Sequence, residues 1–477
     1  MLNRGVRFVR SVAGLLSSIV MVLGMIGGAR SAIAGGVVGT GTEASCTESA
    51  FNVALIGAGL VTFNCGPVSV LIPINTHVIG LGETTIVDGG DLVTLYGSDT
   101  HRHFTVLPGG DLTLRKISLN NGSSTTGGVI LNLGSVTVDR ARLSGNLANG
   151  GSGGGVYNDA GATLSIVNSR LTFNLATSAG GGVFNLGNVT VDSSRLENNT
   201  AGFDGGAVHN NGGSVTIRSS TLAVNRANNG GGIEMNGGDS TVDRSLLLGN
   251  EALTDGGGIR NFSGTLALVN STLIGNLANR GGGIHSEDST SMLNSTLHIN
   301  YAFLGGAFFR LAGSMSVKNS ILSLSLEPHS VTSALNCDGL GFVSSGHNIS
   351  SDNSCSANTL LGDQPATDPL LGPIADNSGP TQTSAPLPSS SAIDRGDNSG
   401  CPIRDQRGTP RPRDGNGDNL AICDIGAVEV PEPAFAMALW TAVGVLARLS
   451  RDRLLRRRLP ASDAVSPHQS RISGTIS

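Results

Sequence analysis

Aromatic residues are scarce in this chain: 4% of 477 residues, with one Trp (Trp440) and three Tyr (Tyr96, Tyr157, Tyr301). A sugar site built on exposed stacked rings has little to draw on. Charge is scarce too, at 14%, and unevenly balanced. Residues 35–430 hold 19 basic and 32 acidic side chains, a net −13. That balance argues against a partner held through its phosphate backbone, so no nucleic-acid partner is expected. Glycine is abundant, at 70 residues, but follows no strict Gly-X-Y period, which excludes collagen. An apolar fraction of 39%, regularly spaced, excludes wholesale disorder. The six cysteines avoid the glycine-rich repeats, and their spacings are unlike a zinc site.

What is present is a repeat. Gly153-Gly154-Gly155-Val156 returns at Val183, Val208, Ile233, Ile259, Ile284 and Phe308, every 24 to 27 residues. Leu-x-x-Asn runs in phase, from Leu143/Asn146 to Leu297/Asn300. A short alternating run such as Val189-Thr190-Val191-Asp192 precedes it. Strands this short are unstable alone. Stacked coils pair each strand with its equivalents about 4.8 Å above and below. The reading is all-β: a right-handed, single-stranded parallel β-helix, with the hand that parallel crossovers favour. Val138, Ile166, Val191, Ile217, Val242, Leu268, Met292 and Val317 are its expected interior column. The Asn residues are expected to stack as an amide ladder, and the glycines to supply positive-φ corners. Residues 127–325 form the regular part, about eight coils by the repeat count.

The flanks read differently. Arg4, Arg7 and Arg10, the apolar run Val12 to Ile26, and Ser31-Ala32-Ile33-Ala34 make 1–34 a signal peptide. Residues 35–126 are an N-terminal cap and irregular first coils. There Thr47 starts a helix, Glu48 to Ile56, with Phe51, Ala54 and Leu55 on one face. Residues 326–430, rich in Pro, Ser and Asp, form a loop-rich C-terminal cap. The cysteines fall in local pairs, Cys46/Cys65, Cys337/Cys355 and Cys401/Cys423, which suggests disulfides in an exported chain. Residues 431–458 begin Pro431-Glu432-Pro433, continue with the apolar run Ala434 to Ala447, and end in Arg456-Arg457-Arg458. A short membrane segment over 434–455 with its arginines cytoplasmic follows. Residues 459–477 are a tail.

Candidate sites are few. Asp192, Arg218 and Asp243 occupy the outward position after the interior column on consecutive coils. Two carboxylates two coils apart, roughly 9.6 Å by strand spacing, sit at the wide edge of inverting-glycosidase geometry. The same alternation is what an exposed charge ladder needs, with Arg218 bridging its neighbours. His101-Arg102-His103 is a local polar cluster that reads as a surface turn, with metal or acid–base work as the alternative. Asp414, Asn416 and Asp418 place oxygen donors at alternate positions, like the opening of a calcium loop. Asn419 and Ile425 stand where such a loop wants Gly and Glu, and an Asp/Asn/Gly turn explains the same residues. No cofactor is expected, with calcium at this turn as the alternative.

Three family resemblances meet in the chain. The Gly-Gly-Gly-Val-x-Asn coils resemble pectin-lyase-like β-helices. Residues 337–429 resemble the C-terminal region of choice-of-anchor Q proteins, through Ser345-Gly346-His347-Asn348-Ile349, Thr367-Asp368-Pro369-Leu370-Leu371-Gly372-Pro373, Asp405-Gln406-Arg407-Gly408 and Cys423-Asp424-Ile425-Gly426-Ala427. Pro431-Glu432-Pro433, the apolar run and the arginines resemble a PEP-CTERM sorting signal, although such signals usually stop at the basic cluster and Leu459 to Ser477 follow here. The resemblance implies export, an exosortase-type enzyme as partner, and a bacterial cell-surface or matrix location. Surface polysaccharide or other cells are the implied contacts, and anchoring by 434–455 is transient. A structural or adhesin-like scaffold is the expected role, with a polysaccharide lyase or hydrolase as the alternative.

Overall fold

The computed structural model describes residues 35–328, 332–355 and 360–430. The segment 1–34, Pro431, Glu432, Pro433, Arg456, Arg457, Arg458 and the 434–455 span lie outside them. Among the described residues no helix is long and apolar enough to cross a membrane.

The chain winds as a parallel β-solenoid of about 12 turns, as counted by its 12-stranded sheet. A regular coil contains strands Val156–Asn158 and Thr163–Val167, then Arg170–Thr172, then Leu175–Ala176. The first two join one 22-stranded sheet, the third the 12-stranded sheet, and the last a 6-stranded sheet. The expected interior column is in register: Val138 pairs with Ile166, and the pairing continues through Val191, Ile217, Val242, Leu268 and Met292 to Val317. None of the eight is more than 2% exposed. The stack is longer than the repeat count suggests. Strands Val70–Pro73, Val93–Tyr96 and Ser118–Asn120 continue it below, and Ile349–Ser350 adds a turn above. Their coils lack the glycine signature but keep the alternating apolar strand, which is enough to pair.

The glycines serve two purposes. The first of each triplet sits at positive φ, as Gly153 (+74°) and Gly180 (+68°) do. The second and third are there for closeness: a Cβ on Gly154 would lie 2.4 Å from the Gly181 carbonyl oxygen, and one on Gly155 2.5 Å from that of Gly182. The other corner, after the interior column, uses non-glycine left-handed residues such as Asn168 (+50°), Ser193 (+49°) and Asn270 (+46°).

The amide ladder is present. Each Asn Nδ2 donates to the next Oδ1, from Asn146 through Asn174, Asn199, Asn225, Asn250 and Asn276 to Asn300, at 2.8 to 3.0 Å. A serine ladder accompanies it unannounced. The Ser169 amide donates to Ser194 Oγ, and the pattern repeats at Ser220, Ser245, Ser271, Ser295 and Ser320. Both ladders satisfy buried polar groups that would otherwise be costly.

The helix Glu48–Leu55 closes the start. Thr47 Oγ1 accepts from the Ala50 amide at 3.2 Å, and Phe51 and Ala54 are buried. Disulfides join Cys46 to Cys65, Cys337 to Cys355 and Cys401 to Cys423, with Cα separations of 5.6, 5.2 and 6.6 Å. The C-terminal region does more than close the far end. After contributing a coil it returns along the outside of the 12-stranded sheet. Gln406 accepts from Thr272 Oγ1 at 2.6 Å and donates to the Ser245 carbonyl at 3.2 Å. Asn294 Nδ2 donates to the Asp424 carbonyl, and the Ala427 amide to Thr296 Oγ1, both at 3.0 Å. The repeat encodes this cover. The residue before the buried leucine is Arg142, Arg170 and Arg195 in three coils, all exposed. It then becomes Thr221, Leu246, Thr272, Thr296 and Ile321, each 6% exposed or less.

Candidate functional site

The residue following each interior Val or Ile of the glycine motif forms one row across the coils. Tyr157 pairs with Phe184, then His209, Glu234, Arg260, His285 and Phe309. Strand alternation turns these side chains away from the interior, yet most are buried. The segment leading into the next glycines roofs them, bringing Asp204, Asp255 and Arg280 alongside.

The lower part is aromatic. Tyr157 and Phe184 stack with centroids 4.9 Å apart, and Phe184 and His209 with 5.1 Å. Burial pushes His209 down to about 4, against the pull of Asp204. The upper part is ionic. Arg260 reaches Glu234 at 3.1 Å, Glu287 at 2.7 Å and Asp255 at 4.0 Å. Arg280 grips Asp255 through two 2.7 Å hydrogen bonds. His285 lies 3.5 Å from Asp255 and 3.2 Å from Glu287. Burial raises the Glu234 carboxyl well above its ordinary value, opposed by Arg260 and reinforced by Asp204 and Glu287. Burial also lowers His285, with Asp255 and Glu287 opposing. Glu234 Oε2 has no hydrogen-bond partner among the described residues. A buried carboxyl raised above its ordinary range beside a cation is the kind of perturbed group that marks candidate sites. Accessibility decides against open chemistry here: Glu234 is 2% exposed and the Arg260 side chain 15%.

The predicted sites are placed as follows. Asp192, Arg218 and Asp243 do align on consecutive coils. The expected bridge through Arg218 is absent among the described residues. Asp192 accepts from Ser193 Oγ at 3.0 Å, and Asp243 pairs with Arg244 at 3.2 Å. The left-handed corner explains this, because residues 193 and 244 fold back beside the carboxylates (φ +49° at each). His101-Arg102-His103 is not a surface turn. His103 is fully buried, its Nε2 3.1 Å from the Leu95 carbonyl oxygen, and burial pushes it down to about 4. Arg102 clamps neighbouring coils through Thr105, Ser124 and the Gly127 carbonyl.

Asp414, Asn416 and Asp418 form a turn that spends its oxygens on its own amides. Asp414 accepts from Gly417, Asp418 and Asn419, and Asn416 from Asp418. Among the described residues no group of three His, Cys, Asp or Glu that could hold a metal occurs. Asn416 also borders a cleft of 1380 Å³ in the C-terminal region, together with His347, Asp394, Arg395 and Val430.

The chain matches no family model, no curated protein and no solved structure.

Proposed function

We propose that the chain is an exported surface or extracellular-matrix protein acting as a structural, adhesin-like scaffold. In this reading it is a choice-of-anchor Q protein with right-handed, pectin-lyase-like coils, sorted by an exosortase-type enzyme through its PEP-type signal. One observation carries the scaffold role: the polar rows of the solenoid are spent on one another. The amide and serine ladders and the Glu234–Arg260–Glu287 cluster bind neighbouring coils and leave few reactive groups facing solvent. The three disulfides support an oxidising, extracytoplasmic setting. The deciding experiment screens the purified chain against acidic and neutral polysaccharides. No product release is expected. Turnover abolished by Glu234→Gln, or by Asp192→Ala with Asp243→Ala, would replace the scaffold with a lyase or hydrolase. That second reading rests on Asp192 and Asp243, two carboxylates in one row two coils apart. Mass spectrometry of the mature C-terminus tests the sorting step, which an intact Arg456-Arg457-Arg458 would sink.

A further inference from the structure

Stacked charges in this solenoid alternate in sign. Asp88 faces Arg115, which faces Asp139. Asp192, Arg218 and Asp243 follow the same order, and Arg226 faces Glu251. One row breaks the pattern. Arg142, Arg170 and Arg195 occupy equivalent positions on three consecutive coils of the 12-stranded sheet, all exposed. Strand spacing sets them about 4.8 Å apart. Arg195 is paired with Glu197 on its own strand at 2.8 Å. The guanidinium groups of Arg142 and Arg170 have no ion pair among the described residues. At the adjoining corner Lys116 and Arg142 line a cleft of 310 Å³ with Asp91 and with Arg140, which is paired with Asp139 at 2.8 Å.

Like charges placed opposite one another destabilise a sheet. A row that accepts this cost, on a body of net charge −13, is suited to counter-charges that repeat along the rod. The neighbouring row offers hydroxyls, with Thr172 Oγ1 bonded to Ser144 Oγ at 3.2 Å. Beyond Arg195 the sheet is covered by the C-terminal return, which leaves these three coils as an open strip.

We propose that this strip binds a linear acidic polysaccharide, its carboxylate or sulfate groups meeting the arginines and its hydroxyls meeting Ser144 and Thr172. Binding along this strip depends neither on the export route nor on the absence of catalysis. Calorimetric titration of the full chain tests it, using polygalacturonate, dextran sulfate, unmodified dextran and a DNA duplex. One or both acidic polysaccharides should bind, and the pattern separates carboxylate from sulfate. Dextran should not bind, and affinity should fall about tenfold between about 0.05 and 0.3 M salt. The double variant Arg142→Ser/Arg170→Ser should lose about tenfold or more in affinity, while keeping or gaining thermal stability because repulsion is relieved. Arg226→Ser, on the 6-stranded sheet, should change affinity by less than about twofold. The proposal is overturned if neither acidic polymer binds, if dextran binds equally, if DNA binds tighter, if the double variant binds like the parent, or if Arg226→Ser loses as much.

Discussion

At residue scale, the coils are paid for in backbone strain at their corners. Val224 sits at φ +55° with its side chain 56% exposed, whereas equivalent corners carry Gly145, Gly249 and Gly275. A β-branched residue in the left-handed region costs about 1–2 kcal/mol and packs against little here. Val224→Gly should therefore raise the urea midpoint by about 1 kcal/mol equivalent with an unchanged m-value; a lower midpoint refutes the strain argument. Buried histidines give a pH signature. His103, His209 and His298 are each pushed from 6.5 down to about 4 by burial. Between those values the unfolded chain binds more protons than the folded one. Stability is therefore full above pH 6.5 and is lost as pH falls toward 4, by about 3 kcal/mol per histidine. His209→Phe keeps a ring against Phe184 and removes one titrating group, so its melting temperature should fall less than the parent's between about pH 7 and 4.5. The row that holds His209 is visible in the sequence as the variable residue after each glycine motif. Alternation alone assigns it to solvent, because nothing in a period of two reveals the roof that Asp204, Asp255 and Arg280 provide.

At the scale of the elements, short strands are held in register by side chains as much as by their own ladders. Asn225 shows the dependence. Its Nδ2 donates to the Leu196 carbonyl and to Asn250, and its Oδ1 accepts from the amide and Nδ2 of Asn199. Asn225→Ala strands the buried amide and Nδ2 of Asn199, and takes a donor from the Leu196 carbonyl and from Asn250 Oδ1, and should cost about 3 kcal/mol in urea unfolding. A loss below about 1 kcal/mol would mean that the backbone ladder alone holds the stack. The asparagines were legible because Leu-x-x-Asn recurs on a fixed beat beside an apolar position. The serines recur on the same beat, at 194, 220, 245, 271, 295 and 320, but serine is common on any polar surface and its burial is invisible in a pattern. The helix Glu48–Leu55 could be read from its Thr47 cap and apolar face. Coils below residue 127 and the turn ending at Ile349–Ser350 kept only their apolar alternation, which is why the repeat count stops short of about 12 turns.

For the whole molecule, the C-terminal return is a separate layer on a rod about 50 Å long by strand spacing. A buried ionic knot holds it together. Arg411 and Glu429 are both without side-chain exposure and lie 3.3 Å apart. Arg411 also donates to the carbonyls of Asp424 (2.9 Å) and Gly426 (2.7 Å). Burial, and then the Glu429 charge, push the Asp424 carboxyl up to about 8. Removing one member of such a pair leaves a charge buried without a partner, at about 3–5 kcal/mol. Among the described residues no stacked strand lies beyond Ser350, so the coils do not need the return in order to pair. Arg411→Ala should thus release the segment around 376–430 to limited proteolysis while circular dichroism keeps the strand signal. It should also uncover Leu246, Ile274 and Ile321 to an apolar dye, all of them 6% exposed or less in the intact fold. Protection unchanged from the parent would show that contacts such as Gln406 with Ser245 and Thr272 suffice to hold the return. Loss of the strand signal together with the return would show that the rod depends on its cover, and would make the switch from Arg195 to Thr221 a requirement of folding rather than the edge of a docking face.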